Sequence, residues 1–351
     1  MARFLSGFWG GGGQEAPAEQ GKGTAAGSTT GAASWITMKD PAGGRGEPVM
    51  KVNQATVDGV LNKLGDEGAV NVVAIFGAAR GGKSFLMNQL AGQDDVFKIS
   101  NDKDPCTQGV DVSRAVVPLK TFATLDGCTA PRGVFASSSS SSQVRVMFAD
   151  VEGQGDRDAA YDARLASAIL PVTKCVIFNW RDSLQVDRML NLLGVMQRAA
   201  HNVDLGEFLS RGGGGGDGDD GEGTAGPKFG HLHVVFRDWN YQGTAEEVKK
   251  QLFGLDNRGV GSEVAVKNEL RRTIKAAFAS VSVWLFPAPV EMTSELSKEL
   301  KSQDLSEGFV SQLAAFRSAL STQLSTPTVF GPANPVTGHS LGSLVPALVR
   351  L

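Results

Sequence analysis

Gly77-Ala78-Ala79-Arg80-Gly81-Gly82-Lys83-Ser84 fits the spacing G-x-x-x-x-G-K-[ST] without a gap, and those residue types suit one chemistry, the gripping of a polyphosphate. Glycines let the backbone wrap closely and turn N–H groups inward. A helix that starts at the end of the loop adds its positive pole. The run Gly77 to Phe85 is therefore expected to line the phosphates, with Lys83 reaching the β- and γ-phosphates and Ser84 holding Mg²⁺. Arg80 lies inside the loop, where a guanidinium can turn toward the phosphates and neutralise transition-state charge. A solvated surface arginine is the competing reading.

Three further positions join this group. Asp150 ends an apolar run and is expected to bind Mg²⁺ through water; a strand-end cap is the alternative. Gly153 beside it can give its N–H to a γ-phosphate and let the following loop switch. Thr107, in a polar loop, can complete Mg²⁺ coordination, although an ordinary loop threonine would look the same. For the base, the guanine-reading pattern N-K-x-D is absent from its usual place after the loop. Asn62-Lys63-Leu64-Gly65-Asp66 precedes the loop and carries its Asp one residue too far, so it is a decoy. Arg237-Asp238 remains. A carboxylate accepting from guanine N1–H and N2–H₂ selects guanine over adenine, and Arg237 can lay its planar guanidinium along the base. Taken alone, the pair also reads as a strand-end salt bridge.

These residues need a scaffold that brings them together. Val72 to Phe76 is an unbroken apolar run, as expected for a strand buried on both faces. Similar runs cover 112–119, 144–150, 175–178, 232–236 and 281–286, and helical patterns cover 159–170, 184–200, 244–253 and 262–279. The alternation predicts an α/β P-loop NTPase fold of three layers, a mostly parallel central sheet flanked by helices on both faces. Gly77, Asp150 and Arg237-Asp238 all fall at strand ends, where such sheets place ligands.

Residues 1–45 are rich in Gly, Ala, Ser and Thr and are expected to be a disordered tail. The domain is expected over 46–351, with low-complexity inserts at 121–142 (six serines, Ser137 to Ser142) and 211–226 (RGGGGGDGDDGEGTAG). Hydrophobic residues make up 41% of the chain and charged residues 20%, which suits a soluble core. A net charge of −3 gives no broad attraction for nucleic acid or an anionic membrane. No apolar run approaches the roughly 20 residues of a span, so membrane contact has no support in this chain. The three cysteines, Cys106, Cys128 and Cys175, lack metal spacing and fit reduced thiols in a cytoplasmic protein.

GAARGGKS, PCTQGV, DVEGQGD and FRDW, in this order, resemble the guanylate-binding protein and atlastin family of large dynamin-like GTPases, and guanylate-binding proteins most closely. LMNQLAG after the loop, FPAPV, DLSEGFVSQLAAFRSAL and the end GHSLGSLVPALV are also similar, so the likeness covers about residues 50–351. The resemblance implies binding of GTP and GDP with Mg²⁺ and hydrolysis to GDP and phosphate, assisted by a nucleotide-dependent homodimer. It implies that Gly77, Ala78, Ala79, Arg80, Gly81, Gly82, Lys83, Ser84 and Phe85 hold the phosphates, with Arg80 as a finger acting in its own subunit. Thr107 would be the switch I magnesium ligand beside Ser84. Asp150, Glu152 and Gly153 would be switch II, with Glu152 helping to order the water network. Asp238 would read guanine, next to Arg237, and residues around Pro287 to Ser294 would form a guanine cap and part of the dimer face.

Two departures matter. Ala79 stands where a bulky residue often precedes the loop arginine. Pro105 stands where guanylate-binding proteins tend to carry a serine that helps place water, and proline has neither hydroxyl nor N–H. That argues against efficient hydrolysis and against an onward step to GMP. The chain ends where the family's helical domain would begin, so it reads as a fragment or as a GTPase-only protein. Pro105 keeps open a GTP-controlled dimerisation or interaction module with little turnover, and a P-loop ATPase is a third reading.

Overall fold

The structure, a computed structural model, describes residues 31–39, 48–99, 107–125, 144–155, 159–181, 183–202, 229–256, 261–290, 300–330 and 334–350. Nine strands of these residues form one sheet: β1 (Ala32–Lys39), β2 (Val49–Val52), β3 (Val70–Gly77), β4 (Val110–Ser113), β5 (Val117–Pro118), β6 (Arg145–Val151), β7 (Thr173–Arg181), β8 (Phe229–Arg237) and β9 (Phe278–Leu285). The order is β2-β1-β4-β6-β3-β7-β8-β9, with β5 beside β6. The block from β6 to β9 is parallel. β4, β1 and β2 extend it with antiparallel pairing.

The helices are α1 (Gln54–Thr56) and α2 (Asn62–Leu64), which flank a π-helical turn at Val57–Leu61, then α3 (Lys83–Ala91), α4 (Leu119–Ala123), α5 (Ala159–Ile169), α6 (Val186–Asn202), α7 (Ala245–Phe253), α8 (Ser262–Ala277), α9 (Glu307–Leu324) and α10 (Gly338–Arg350). They cover both faces of the sheet, which is why β3 reads as continuous apolar sequence and is buried at every position. The period of two sorts its side chains. Val72, Ala74 and Phe76 pack with Leu165 of α5, Leu193 of α6 and Val345 of α10. Val73 and Ile75 pack with Leu86 of α3 and Phe316 of α9. The expected α/β three-layer arrangement with a mostly parallel sheet is therefore the observed one.

The polar residue in β3 has a structural task. Asn71 is fully buried and donates to the carbonyls of Leu324 (2.8 Å) and Thr326 (3.0 Å). It accepts from the Thr328 N–H at 2.8 Å, so its amide is satisfied and ties the end of α9 to the start of the central strand. Arg317 of α9, also buried, donates to the carbonyls of Leu125 (3.0 Å) and Gln89, locking α9 to the end of α3.

Three expectations need correction. Residues 32–39, assigned by composition to a disordered tail, form β1. Trp35 and Ile36 are wholly buried there, and the strand is paired on both sides by β2 and β4. The single strand expected over 112–119 is split into β4 and β5. Helix α4 then occupies the start of the first insert, because Phe122 buries against Phe148 with ring centroids 6.0 Å apart. Residues 126–143 and 203–228, which hold the low-complexity inserts, lie outside the described residues. So does Pro105.

Candidate functional site

The sheet's parallel strands end on one edge, and the chemistry-bearing residues collect there. β3 runs into the loop 78–82 and α3 begins at Lys83. The loop is tightly wound: Arg80 (φ 60°) and Gly82 (φ 73°) adopt the left-handed conformation. For arginine this costs energy that glycine would not pay, and such strain is often kept where a side chain must be aimed. Gly82 caps α3 without any side-chain hydrogen bond. The first N–H groups of the helix, on Lys83, Ser84 and Phe85, therefore have no intrahelical acceptor and form an anion-binding end. A β-carbon on Gly77 would come within 2.1 Å of the Asn179 carbonyl oxygen, so only glycine fits where the loop leaves the sheet.

Asp150, at the end of β6, gathers the candidate metal ligands. Its Oδ2 accepts from Ser84 Oγ at 2.5 Å and from Thr107 Oγ1 at 3.1 Å. Its Oδ1 is buried with no hydrogen-bond partner in the protein. Burial pushes the carboxyl above the usual carboxylate range, opposed by the charge of Lys83 and by the bonds from Ser84 and Thr107. Two hydroxyls and a carboxylate with an orphaned oxygen are a donor set suited to a hard divalent cation such as Mg²⁺. Among the described residues no group of three or more His, Cys, Asp or Glu offers a metal site.

Asp111 lies directly across from Asp150 in the β4–β6 pair. Burial, then the neighbouring Asp150 charge, push its carboxyl up to about 6, against a lowering bond from Ser34. A raised acid pKa stabilises the fold below the unfolded value of 3.8 and loses that stability as pH rises through about 6. Metal-free, nucleotide-free protein is expected to lose thermal stability between about pH 4 and 6, and Asp111→Asn is expected to flatten that part of the melting profile. An unchanged slope in the variant would assign the pH dependence elsewhere.

Glu152 joins the two candidate switches. Its Oε2 accepts from the Gly109 N–H at 2.8 Å and from the Tyr161 hydroxyl, and its own N–H donates to the Gly109 carbonyl at 2.8 Å. Gly153 rides on the phosphate loop: a β-carbon there would lie 2.4 Å from Ala79 Cα. The small Ala79, where a bulky residue was expected, leaves room for this approach. Lys83 is buried, and its Nζ donates to the Ala78 carbonyl at 3.2 Å. Arg80 is exposed at the rim.

On the far side, Asp238 follows β8 in the left-handed conformation (φ 55°). Its Oδ2 accepts from Arg181 Nε at 2.8 Å, and its Oδ1 is buried without a partner. Arg237, expected along a base, is buried instead against the loop helix. Its guanidinium sits 5.2 Å from the Phe85 ring centroid and 5.4 Å from that of Phe309, and donates to the Gly82 carbonyl at 3.3 Å. Burial lowers its pKa to about 10, so it stays charged at neutral pH. Residues 287–290 of the expected cap are fastened to the start of α9, where Ser306 donates from its N–H to the Pro289 carbonyl and from its hydroxyl to that of Ala288. Residues 291–299 lie outside those described.

The sequence-predicted residues Gly77 to Phe85, Thr107, Asp150, Glu152, Gly153, Arg237 and Asp238 thus meet on one edge. Asp66 of the decoy is elsewhere, accepting from Thr337 near α10. Two residues went unnoticed in the sequence. Asn179, fully buried at the end of β7, donates to the Gly81 carbonyl at 2.7 Å and holds the loop down. A polar residue closing an apolar strand was its signal. Tyr161, the partner of Glu152, sits in an amphipathic helix with no local mark.

The family model described as "Guanylate-binding protein, N-terminal domain" matches residues 48–328. Guanylate-binding protein 5 of Mus musculus is 28% identical over 291 residues, covering 79% of this chain and 44% of that protein. The chain therefore spans less than half the length of this relative. Among the described residues no helix is long and apolar enough to cross a membrane.

Proposed function

The chain belongs to the guanylate-binding protein family, and from that membership we propose that it binds GTP with Mg²⁺ and hydrolyses it to GDP and phosphate, in the cytoplasm and as a homodimer formed across the nucleotide face. GTP binding and hydrolysis are the general activity of the family's GTPase domain. The observation that carries the reading to this chain is the convergence of Ser84 and Thr107 on Asp150, whose second oxygen is orphaned, beside an uncapped helix start.

The roles follow from placement. The N–H groups of the loop and of the start of α3 cradle the phosphates, and the Lys83 ammonium meets the β- and γ-phosphates. Ser84, Thr107 and, through water, Asp150 would hold Mg²⁺, which when bound neutralises charge on the β- and γ-oxygens. Gly153, close against Ala79, offers its N–H to the γ-phosphate. Glu152 keeps switch I and switch II in register through Gly109. Asp238 accepts from the guanine edge, while Arg237 braces the loop helix rather than the base.

Arg80 supplies transition-state charge in its own subunit, and its left-handed backbone aims it from the loop rim. The test is phosphate release from GTP across protein concentration, for the wild type and for Arg80→Ala. Specific activity is expected to rise with concentration, and the variant to turn over at least about tenfold more slowly, a lower bound set well under the roughly thousandfold or more that arginine fingers supply. Equal turnover by both proteins would reduce Arg80 to a surface residue, and a flat concentration dependence would remove the dimer.

A further inference from the structure

Arg181 closes β7 on the sheet edge that carries the phosphate loop and Asp238. The strand's period of two puts it on the same face as Asn179, whose side chain donates to the Gly81 carbonyl at 2.7 Å. One strand end thus sends one polar side chain to the phosphate loop and the next to the residue expected to read the base. The contact there is a single hydrogen bond, from Arg181 Nε to Asp238 Oδ2 at 2.8 Å. Among the described residues Asp238 Oδ1 takes no hydrogen bond. A guanidinium and a carboxylate that serve only each other favour the two-pronged fork, and this pair uses one prong of each.

The pair does little for the fold. The two side chains are 60% and 29% exposed, and ion pairs so open to water stabilise weakly. The position also has an electrostatic cost. Arg181 is paired in register with Arg237 across the β7–β8 ladder. Burial lowers the Arg237 pKa, Asp238 raises it, and the Arg181 charge lowers it again. A second guanidinium beside a buried one therefore has its reason outside folding.

The chemistry of this edge supplies the reason. Side by side, a carboxylate and a guanidinium present acceptors and then donors. Guanine presents the complement in the same order: N2–H₂ and N1–H donate, and O6 accepts. Adenine places an amino group where guanine has O6, and a bare N1 where guanine has N1–H, so like would meet like at both positions. We propose that Arg181 is a specificity-determining residue that donates from an Nη N–H to guanine O6 while its Nε holds the Asp238 carboxylate, an inference that rests on Asp238 as the base reader. Arginine is the side chain that most often reads guanine O6 in duplex DNA, by the same match of donor to carbonyl.

The test is competition of guanosine, 6-thioguanosine and adenosine diphosphates for the nucleotide site of the full chain, in wild type, Arg181→Ala and Arg181→Met, with thermal midpoints alongside. Sulfur in place of O6 accepts weakly, while N1–H and N2–H₂ stay. Both variants are expected to melt close to wild type, as the loss of an exposed pair allows. Guanosine diphosphate affinity is expected to fall at least about tenfold, the scale of one charge-assisted hydrogen bond. The thio compound is expected to lose far less, and adenosine diphosphate to bind as before or more tightly. Methionine keeps the apolar stem of arginine and serves if the alanine variant does not fold. Equal losses for the guanosine and thioguanosine compounds would make Arg181 a prop for Asp238 and overturn the O6 contact. An equal loss for all three nucleotides, or unchanged guanosine diphosphate binding by a folded variant, would overturn it too. A wild type that does not prefer guanosine to adenosine diphosphate would overturn the guanine reading at Asp238 and this inference with it.

Discussion

Lys83→Ala is expected to lower GTP turnover at least about a hundredfold, on the scale of lost charge stabilisation at a transferring phosphoryl group, and to weaken GTP binding as well. The ammonium is buried at the mouth of the loop, with Nζ 3.2 Å from the Ala78 carbonyl oxygen. In that setting its charge is screened far less than on the surface. Among the described residues the neighbouring cations are placed for other tasks: the Arg237 guanidinium is taken up by Phe85, Phe309 and the Gly82 carbonyl, and Arg80 sits at the exposed rim. The fold is expected to survive. Removing the ammonium leaves the buried Asp150 carboxyl without that attraction, so some loss of thermal stability is expected, while the bonds from Ser84 and Thr107 to Asp150 remain. The measurement is phosphate release alongside a thermal melt. A variant that melts like wild type and still releases phosphate at the wild-type rate would contradict the phosphate-loop assignment.

The second large effect is expected at Asp238. Asp238→Asn should weaken GTP binding about tenfold to a hundredfold, the cost of a lost charge-assisted hydrogen bond, and improve binding of xanthosine triphosphate. The carboxylate presents two acceptors to guanine's N1–H and N2–H₂. Asparagine keeps one acceptor and sets an NH₂ against guanine's own amino group, donor to donor. Xanthine has a carbonyl at that place, so the amide pairs with it. The left-handed backbone at Asp238 is one that asparagine tolerates as well as aspartate does, and Arg181, which now donates to Oδ2, can bond the amide oxygen. The substitution therefore changes the hydrogen-bond pattern more than the shape. Competition of GTP, ATP and xanthosine triphosphate for the same site reads it out. An unchanged preference for GTP would put the base reader elsewhere.

Much of this site was legible in the sequence for a simple reason. The loop 77–84 and the strand ends at Asp150 and Asp238 are local patterns: a glycine turn after an apolar run, or a carboxylate closing one. The parallel sheet could be read because strands buried on both faces leave continuous apolar runs. What escaped depends on contacts distant in sequence. β1 lies in a stretch whose composition argues for disorder, and it is ordered by pairing with β2 and β4 and by burying Trp35 and Ile36; strand formation answers to such neighbours more than to composition. Arg237 carries the right charge for a base stack, but two phenylalanines, one of them more than seventy residues downstream in α9, draw it to the loop helix. Tyr161 of α5 meets Glu152 in a hydrogen bond that nothing local in either stretch announces.

A guanine nucleotide is expected to lie across this sheet edge, phosphates on the loop and base at Asp238. Isothermal titration calorimetry of the full chain with Mg²⁺ and a non-hydrolysable GTP analogue, repeated with the adenosine analogue, tests that most directly. The predicted result is saturable binding of one guanine nucleotide per chain and markedly weaker heat from the adenine compound. No saturable heat with the guanine nucleotide, or equal binding of the two, would contradict it.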